Sequence, residues 1–469
     1  MSGGRRSLSQ RGGRANTAKG AKPAKAEAGV APTGVAPIYK RLPHGPHRLA
    51  RNEVVRHQRA RIHGAMVEAV SRNGYERTSV KQVIGLAGVS RRSFYEQFAN
   101  REECFLATFD VIAQRELRRI SKAYCAADGG LEERLRAVFE RVAEQAQDSR
   151  KASTLVLVEA ETAGTGGTLR LRRATATCEH MLSRSFLESP EAVPLPTPVV
   201  RGITGGLHGA MSSALRAGRL GEGPVMAEEM LRWTLLFQTP KASRMQEPMA
   251  ARVSRRMREV SLASAHRRDP ERAPAGDERE RLLHEVLRLA ALQDYRELSA
   301  PQIADEARVP IDAFLELFAN RHECFLAALD MVAGEILAIA SNPDLISSDW
   351  PRAVRRVLRE LMGYLGDRPL YSRTIAQEAF FAGPEAVEQT LELAHNVATL
   401  LTEGAPGRAQ SALAVEAIAG ALLHTVRCQV TSGRVQLLGP LSDYLAYVVL
   451  TPFIGAEQAI EIVTEESER

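Results

Sequence analysis

Residues 78–105 read TSVKQVIGLAGVSRRSFYEQFANREECF, and this stretch decides the fold. Ser79 stands directly before a run of apolar positions with helical spacing, as a helix-capping residue does. Residues 87–89 (AGV) form a short turn around a glycine, and Ser90 can cap a second short helix. Two short helices joined by a turn of about four residues with a central glycine are typical of a helix-turn-helix.

Further helices are expected on both sides of this pair. The upstream apolar residues with a spacing of four are Ile62, Met66 and Val70. They predict a helix with one buried face, and Gly74 is a natural stop for it. Phe94 and Phe98 have the spacing to face that stripe from the second short helix. Downstream, Asn100 and Glu103 form a capping-box-like pair that starts a long fourth helix.

The second short helix begins with small and basic residues. These are Ser90, Arg91, Arg92 and Ser93. A helix is about as wide as the DNA major groove and enters it with its N-terminal residues first, where arginine can contact guanine with two hydrogen bonds. Tyr95 and Gln97 lie further along and are candidates for phosphate contacts. The alternative for the two arginines is a solvated charged surface, which we consider the weaker interpretation inside this motif.

The same stretch resembles the N-terminal domain of tetracycline-repressor (TetR) family regulators. The family pattern is a Thr/Ser cap, an apolar pair, Ala-Gly-Val-Ser, an aromatic pair, Phe and a charged helix start. The matching residues are Ser79, Ala87, Gly88, Val89, Ser90, Phe94, Tyr95, Phe98 and Arg101. The resemblance is specific over about residues 48–110. It implies an all-helical protein with three DNA-binding helices and a larger helical body that binds a ligand and dimerises.

The resemblance also implies which residues touch DNA. By position in the motif they are Ser79, Lys81, Ser90, Arg91, Arg92, Ser93, Tyr95, Gln97 and Arg101. Gln97 stands where histidine is commoner in the family, and Arg101 replaces a common lysine while keeping its charge. Members of the family usually repress genes and leave DNA when a small molecule binds.

An internal repeat organises the rest of the chain. FANREECFLA at residues 98–107 returns as FANRHECFLA at residues 318–327, and 19 of the 52 positions aligned from Arg59/Arg279 to Asp110/Asp330 are identical. Weaker similarity continues beyond that block. The sequence therefore predicts that one module of roughly 200 residues is duplicated.

The second copy of the motif differs from the first in charge. Its sequence, at residues 298–325, is LSAPQIADEARVPIDAFLELFANRHECF. Residues 51–100 carry nine Lys/Arg and four acids, whereas the aligned residues 271–320 carry six and eleven. Phosphate repels an acidic surface, and phosphate contacts supply most non-specific affinity for DNA. We therefore expect the second copy to keep the fold but not to read DNA.

The predicted architecture is all-α, with two tandem TetR-like modules that each have a three-helix head and a helical body. The domains in order are a disordered basic tail (1–47), a helix-turn-helix domain (48–110), a helical ligand-binding and dimerisation domain (111–238), a basic linker (239–276), a degenerate helix-turn-helix domain (277–330) and a second ligand-binding and dimerisation domain (331–456). A helix is expected within the linker, at residues 249–264.

Composition limits the classes of protein that need to be considered. The chain has 469 residues and 44% hydrophobic residues, enough for two to four domains with buried cores. Residues 1–50 carry ten Lys/Arg and one acid, which suggests a polyanionic partner. No uninterrupted apolar run approaches the length of a membrane span, and there is no secretory signal. We expect a cytoplasmic protein, associated with the nucleoid and not with a membrane.

Other chemistry-bearing residues have simpler explanations. The five cysteines are scattered without CxxC spacing, which argues for reduced thiols and against a zinc site. Cys104 and Cys324 recur at matching places beside apolar residues and are expected to be buried. The body histidines, expected to be packed or pocket-lining, are His180, His208, His395 and His424. The glycines expected to allow close helix packing are Gly202, Gly205, Gly206 and Gly209. No catalytic residues, metal ligands or cofactor are predicted.

The function expected from the sequence is specific binding of double-stranded DNA, with repression relieved by a small-molecule effector. The alternative is a ligand-sensing or protein-interaction scaffold that has lost specific DNA binding. An enzyme is disfavoured because no catalytic constellation is visible. The last two helices of each copy are expected to pack as a four-helix bundle. That bundle can form within one chain, as an intramolecular pseudo-dimer, or between two chains, as a homodimer.

Overall fold

The computed structural model describes residues 51–221, 223–239, 277–342, 349–406 and 412–465. Every regular element in these ranges is helical, and none of them contains a strand. The all-α class expected from the sequence is confirmed. The tail at residues 1–47, nearly all of the linker and the helix expected at 249–264 lie outside the described residues.

The first four helices form the first head. They are α1 (Arg51–Asn73), α2 (Val80–Ala87), α3 (Arg91–Tyr95) and α4 (Arg101–Ala126). Phe94 and Phe98 are buried together with Ile62, Met66 and Val83, as the spacing predicted. The boundary expected at residue 110 falls inside α4, which continues without interruption into the body.

The predicted caps of these helices are present. Ser79 caps α2 in a reciprocal capping box with Gln82, whose backbone N–H donates to the serine Oγ at 3.3 Å. The Oγ of Ser90 accepts from the backbone N–H of Ser93 at 3.0 Å at the start of α3. Asn100 accepts from the N–H of Glu103 at 2.8 Å and starts α4. Each cap satisfies a helix N–H group that has no partner within its own helix.

Five more helices form the first body. They are α5 (Leu131–Asp148), α6 (Arg150–Leu157), α7 (Gly164–Glu188), α8 (Thr197–Arg216) and α9 (Gly223–Leu235). A glycine-rich segment at residues 164–167 lies at the beginning of α7. There Gly164 has φ +74°, a left-handed conformation that glycine adopts at little cost.

The second half of the chain also begins with four helices, called its head, and continues into further helices, called its body. Its head consists of α10 (Glu278–Leu292), α11 (Ala300–Glu306), α12 (Ile311–Leu317) and α13 (Arg321–Ala340). Its body consists of α14 (Trp350–Asp367), α15 (Pro369–Arg373), a π-helical segment (Thr374–Glu378), α16 (Ala379–Ala382), α17 (Pro384–Thr402), α18 (Ala412–Thr431) and α19 (Leu438–Thr464).

The two halves are joined by helix packing around α8 and α18. An added Cβ on Gly209 of α8 would lie 2.5 Å from the Cα of Gly420 in α18, and one on Gly202 would lie 2.8 Å from Val448 in α19. Larger residues at these positions would force the helices apart. The predicted role of the α8 glycines in close helix packing agrees with this geometry, and nearby Tyr447 donates a hydrogen bond to the Phe237 carbonyl at 3.0 Å.

Two stretches have the length and composition to cross a membrane. They are Leu413–Thr431, with a mean hydropathy of 1.2, and Val435–Thr464, with a mean hydropathy of 1.4. The apolar windows are 67% and 72% buried within the chain, because the first packs mainly against α8 and the second mainly against α14. Such burial is typical of core helices. Length and composition alone are weak evidence for membrane insertion.

Candidate nucleic-acid interface

The outer surface of α2 and α3 carries several of the predicted DNA-contacting residues. Lys81, Arg91 and Arg92 are exposed, and Tyr95 retains 45% of its accessible surface. Phe94 anchors α3 from below and is fully buried. The polar and cationic residues of α3 therefore lie on the exposed side of the helix, opposite an apolar anchor that fixes the helix to the head.

The two arginines differ in their contacts. Arg92 forms an ion pair with Glu96 one turn later, with 2.9 Å between Nε and Oε1, and its side chain remains 89% exposed. The Arg91 guanidinium lies 5.7 Å from the centre of the Tyr95 ring. Surface interactions of these kinds contribute about 1 kcal/mol or less each, so both guanidinium groups can exchange them for a stronger anionic partner.

Three predicted DNA-contacting residues also have roles inside the head. Ser90 and Ser93 share a hydrogen bond of 2.9 Å between their hydroxyl groups. Ser79 donates from its Oγ to Gln82 Oε1 at 2.9 Å in addition to capping α2. Ser79 and Ser90 are capping residues first, Ser93 is bound to the Ser90 cap, and contact with a phosphate is compatible with these roles.

Gln97 and Arg101 are less available than the sequence suggested. Gln97 is half-buried and donates to the Ser93 carbonyl at 3.2 Å. Arg101 donates to the carbonyls of Glu76 and Thr78 at 2.8 and 2.9 Å and packs over the Tyr75 ring. The arginine therefore holds the connection between α1 and α2 against α4, and positions the head.

Arg61 also stabilises the head through backbone carbonyls, and it was not among the residues predicted from the sequence. Its guanidinium donates to the carbonyls of Ala87 and Gly88, with a distance of 2.8 Å to the latter, and so ties α1 to the turn between the two short helices. The signal was present, because Arg61 and Arg281 occupy equivalent positions in the two copies.

The turn has the same conformation in both heads although its residues differ. Gly88 has φ +59°, and Arg308, at the equivalent position, has φ +54°. Among the described residues Arg308 alone has a positive φ without being a glycine. A side chain in this region costs about 1–2 kcal/mol. The turn is therefore imposed by the packing around it and not by the glycine alone.

The second head presents a different outer surface. The residues that replace Lys81, Ser90, Arg91, Arg92, Ser93, Tyr95 and Gln97 are Pro301, Pro310, Ile311, Asp312, Ala313, Leu315 and Leu317. Ile311, Leu315 and Leu317 are 38%, 53% and 40% exposed. Asp312 and Glu316 are exposed beside them. This surface has apolar and acidic groups where the first head has cations.

An apolar cavity of about 250 Å³ lies in the first body. Its wall includes Ile120 and Tyr124 of α4, Leu182 of α7 and His208 of α8. Among the described residues, Tyr124 Oη and His208 Nε2 are buried polar atoms without a hydrogen-bond partner. Burial lowers the pKa of His208 to about 4, so its imidazole is neutral at pH 7. The cavity thus combines apolar walls with two free hydrogen-bonding groups.

A second cleft, of about 800 Å³, lies between the halves and is more polar. At its base, Glu161 is 5% exposed and bound by Arg216 of the first half and Arg427 of the second. Burial opposes ionisation of Glu161, but the two guanidinium groups outweigh it and lower its pKa to about 2. This buried ion network joins the halves beside the α8–α18 packing.

Three of the four body histidines are packed or line a cleft, as expected, and one is not. His208 and His395 line the cleft. His424 is buried and faces Glu179 and Cys428. His180 is exposed, so its expected packed position was wrong. Cys104 and Cys324 are buried as expected, and burial raises the pKa of each thiol to about 12.

Comparison with protein families places the first head in a known class. Residues 64–108 match the family described as "Bacterial regulatory proteins, tetR family". The matched segment runs from within α1 to within α4 and contains the whole of α2 and α3. The chain therefore carries a DNA-binding domain of the kind found in TetR-family regulators.

Solved structures of bacterial regulators are also similar to part of the chain, each with a TM-score of 0.34. The fatty acid degradation regulator FadR from Bacillus halodurans is 18% identical over 37% of this chain and 96% of its own. FadR from Bacillus subtilis, solved with stearoyl-CoA, is 15% identical over 37% and 96%. A TetR-family transcriptional regulator from Agrobacterium tumefaciens is 16% identical over 38% and 97%. No curated protein sequence matches the chain significantly.

Proposed function

We propose that this protein is a transcription regulator that binds specific double-stranded DNA through its first head. The observation that carries the proposal is the exposed outer face of α3, where Arg91 and Arg92 project from a helix anchored by buried Phe94. A recognition helix needs this combination of a fixed apolar side and a free hydrogen-bonding side.

Within this proposal the predicted residues divide into base readers and phosphate binders. Arg91 and Arg92 read bases, because guanidinium groups at a helix start can pair with guanine O6 and N7. Lys81, Tyr95, Ser93 and the capping serines Ser79 and Ser90 contact phosphates. Gln97 and Arg101 act mainly by holding the recognition helix in place, since their side chains are engaged with backbone carbonyls.

We further propose that the chain consists of two tandem modules, of which the second has a degenerate head that does not bind DNA. The recurrence of capping residues, buried cysteines and a left-handed turn supports a common origin. Packing of α8 with α18 and α19, and the hydrogen bond from Tyr447 of α19 to the carbonyl of Phe237 just after α9, support an intramolecular pseudo-dimer. In a homodimer of TetR type the corresponding bundle forms between two chains.

The proposed effector binds the apolar cavity of the first body. α4 supports a coupling mechanism, because it begins beside the head at Arg101 and lines the cavity at Ile120 and Tyr124. A ligand that displaces the C-terminal part of α4 also shifts the head, which contains the N-terminal part of the same helix. The cavity favours a mainly apolar molecule with a hydrogen-bonding group for Tyr124 or His208. Repression in the cytoplasm, released by that ligand, is the simplest regulatory outcome.

Selection of genomic fragments bound by the full chain tests the proposal. The recovered site is used to compare Arg91→Ala/Arg92→Ala with the matched control Ile311→Ala/Asp312→Ala in the second head. We expect the first pair to weaken binding at least about 30-fold, because each well-placed arginine contributes about 1–3 kcal/mol of discrimination. The control pair should bind as the wild type does. Unchanged binding of the first pair to every fragment would favour a scaffold without specific DNA recognition.

Sedimentation and footprinting of the same complex test the pseudo-dimer. A single chain with one working head protects one half-site. Symmetric protection of a long palindrome by one chain would contradict a silent second head, and protection by two chains would favour the homodimer.

A further inference from the structure

One side-chain cluster at the joint between the halves has no part in the proposed function. It consists of Glu179 on α7 of the first half and His424 and Cys428 on α18 of the second. Glu179 Oε1 lies 3.0 Å from His424 Nε2, and Cys428 Sγ lies 3.4 Å from the same nitrogen. One carboxylate, one imidazole and one thiol therefore converge from two helices that are distant in sequence.

The three groups are sheltered from solvent. The side chains of His424 and Glu179 are 11% and 13% exposed, and Cys428 is 8% exposed. Space for the imidazole exists because Gly205 of α8 has no side chain, and an added Cβ there would lie 2.6 Å from the His424 Cβ. Backbone packing thus fixes the histidine against the carboxylate.

We propose that Glu179, His424 and Cys428 form a binding site for Zn²⁺ that bridges the two halves of the chain. Cysteine sulfur, histidine nitrogen and carboxylate oxygen are the three ligand types that zinc uses in proteins. The thiol selects against Mg²⁺ and Ca²⁺, which prefer oxygen ligands alone. This proposal does not depend on DNA binding by the first head.

The separations between the ligand atoms fit a tetrahedral ion. With zinc–sulfur and zinc–nitrogen distances of about 2.3 and 2.0 Å, sulfur and nitrogen ligands lie about 3.5 Å apart, and nitrogen and oxygen ligands about 3.3 Å apart. The observed values, 3.4 and 3.0 Å, differ from these by a few tenths of an ångström. All three ligand atoms lie within 4.8 Å of one another.

The residues and the cleft around the three ligands would determine the orientation of Glu179 and the access of a fourth ligand to the zinc ion. Arg201 lies 3.6 Å from the other oxygen of Glu179, so one carboxylate oxygen is held while the other faces the histidine. His424 also lines the polar cleft of about 800 Å³ between the halves. Three protein ligands leave a fourth zinc position for water or for a small donor from that cleft. Bound zinc would connect α7 to α18 and so hold the halves together.

Cobalt substitution in the full chain is the primary test, because Co²⁺ reports thiolate coordination by absorption. The protein carries Cys125→Ser and Cys178→Ser to remove an exposed thiol and the thiol next to Glu179. We expect one Co²⁺ per chain with a sulfur-to-cobalt charge-transfer band, displaced by one equivalent of Zn²⁺. Absence of that band in this folded protein would overturn the proposal without any ligand variant.

Ligand variants in the same background identify the residues. Cys428→Ser and Glu179→Gln should each weaken Zn²⁺ binding at least about tenfold, with the larger loss for the thiol, as measured by competition with a chelating dye. Zn²⁺ should raise the melting temperature of the parent protein and not that of Cys428→Ser. Circular dichroism verifies that the variants are folded. Undiminished zinc affinity in folded Cys428→Ser would place the ion elsewhere.

Discussion

Arg101 in the first head and Arg321 in the second occupy equivalent positions and make equivalent contacts. Each donates to carbonyls of the connection before the short helices and packs over a tyrosine ring, Tyr75 or Tyr295. By contrast, Arg91 is exposed on the first head and is replaced by Ile311 on the second. Residues that hold the head together are thus kept in both copies, while those on its outer face have changed.

This comparison refines the set of proposed DNA-contacting residues. Of the nine residues that the family resemblance suggested, only Ser79 and Arg101 have the same residue in the second copy, at Ser299 and Arg321. Both have clear structural roles, as a helix cap and as a carbonyl clamp. Apart from Gln97, whose side chain is engaged with the Ser93 carbonyl, the residues that differ are therefore the better candidates for recognition. Arg91 and Arg92 are the strongest of them because they are exposed and cationic.

Exchange of the outer residues is expected to have the largest effect. Arg91→Ile with Arg92→Asp gives the first head the residues of the second. It should weaken specific DNA binding at least about 100-fold, because two cationic contacts are lost and a carboxylate faces the phosphates. Fluorescence anisotropy with the selected site measures the loss.

The reciprocal exchange is the matched control. Ile311→Arg with Asp312→Arg should leave specific affinity unchanged and increase salt-sensitive, non-specific binding. A comparable loss of specific affinity from this pair would show that the second head contacts the operator, and the proposed difference between the heads would be wrong.

Replacement of Arg101 or Arg321 by alanine should have a smaller effect. Arg101→Ala and Arg321→Ala each leave carbonyls without a charged donor, and each should lower the free energy of unfolding by about 2 kcal/mol. Only Arg101→Ala should also weaken DNA binding, because it displaces the recognition helix. Urea denaturation and anisotropy separate the two effects. An Arg101→Ala variant that loses affinity for DNA at unchanged stability would instead indicate direct contact with DNA.

The smallest expected effect concerns the turn. Gly88→Ala places a side chain at φ +59° and should destabilise the first head by about 1 kcal/mol. Arg308→Gly relieves the same conformation in the second head and should stabilise it by a similar or smaller amount, because glycine also gains entropy in the unfolded state. Hydrogen exchange at α2 and α11 reports the two heads separately. Changes of the same sign in both would contradict a shared turn conformation.

The sequence predicted most of the first head because its signals are local. Caps such as Ser79 and Asn100 lie within three residues of the groups that they satisfy, and Phe94 and Phe98 share a face through helical spacing. The exposure of Arg91 and Arg92 followed from the same periodicity. The engagement of Arg101 could not be predicted, because its carbonyl partners are more than 20 residues away.

The contacts between the two halves were much harder to predict from the sequence. Glu179 and His424 are separated by 245 positions, and only the packing of α7 and α8 against α18 brings them together. The spacing of four between His424 and Cys428 places both on one helical face and was a usable signal. His424 was instead interpreted as a packed or pocket-lining residue, and no metal ligands were predicted. The contribution of α7 to the cavity wall was equally hard to predict, because its weak apolar pattern is interrupted by arginines.

The close approach of Gly209 to Gly420 occurs between helices of a single polypeptide. When two identical chains pair about a two-fold axis, every substitution is made on both sides at once. Here each side of the contact is encoded separately, so a change on one side leaves the other untouched. That independence allows the two heads to carry different outer residues, and allows a histidine to face a partner helix that carries no copy of it.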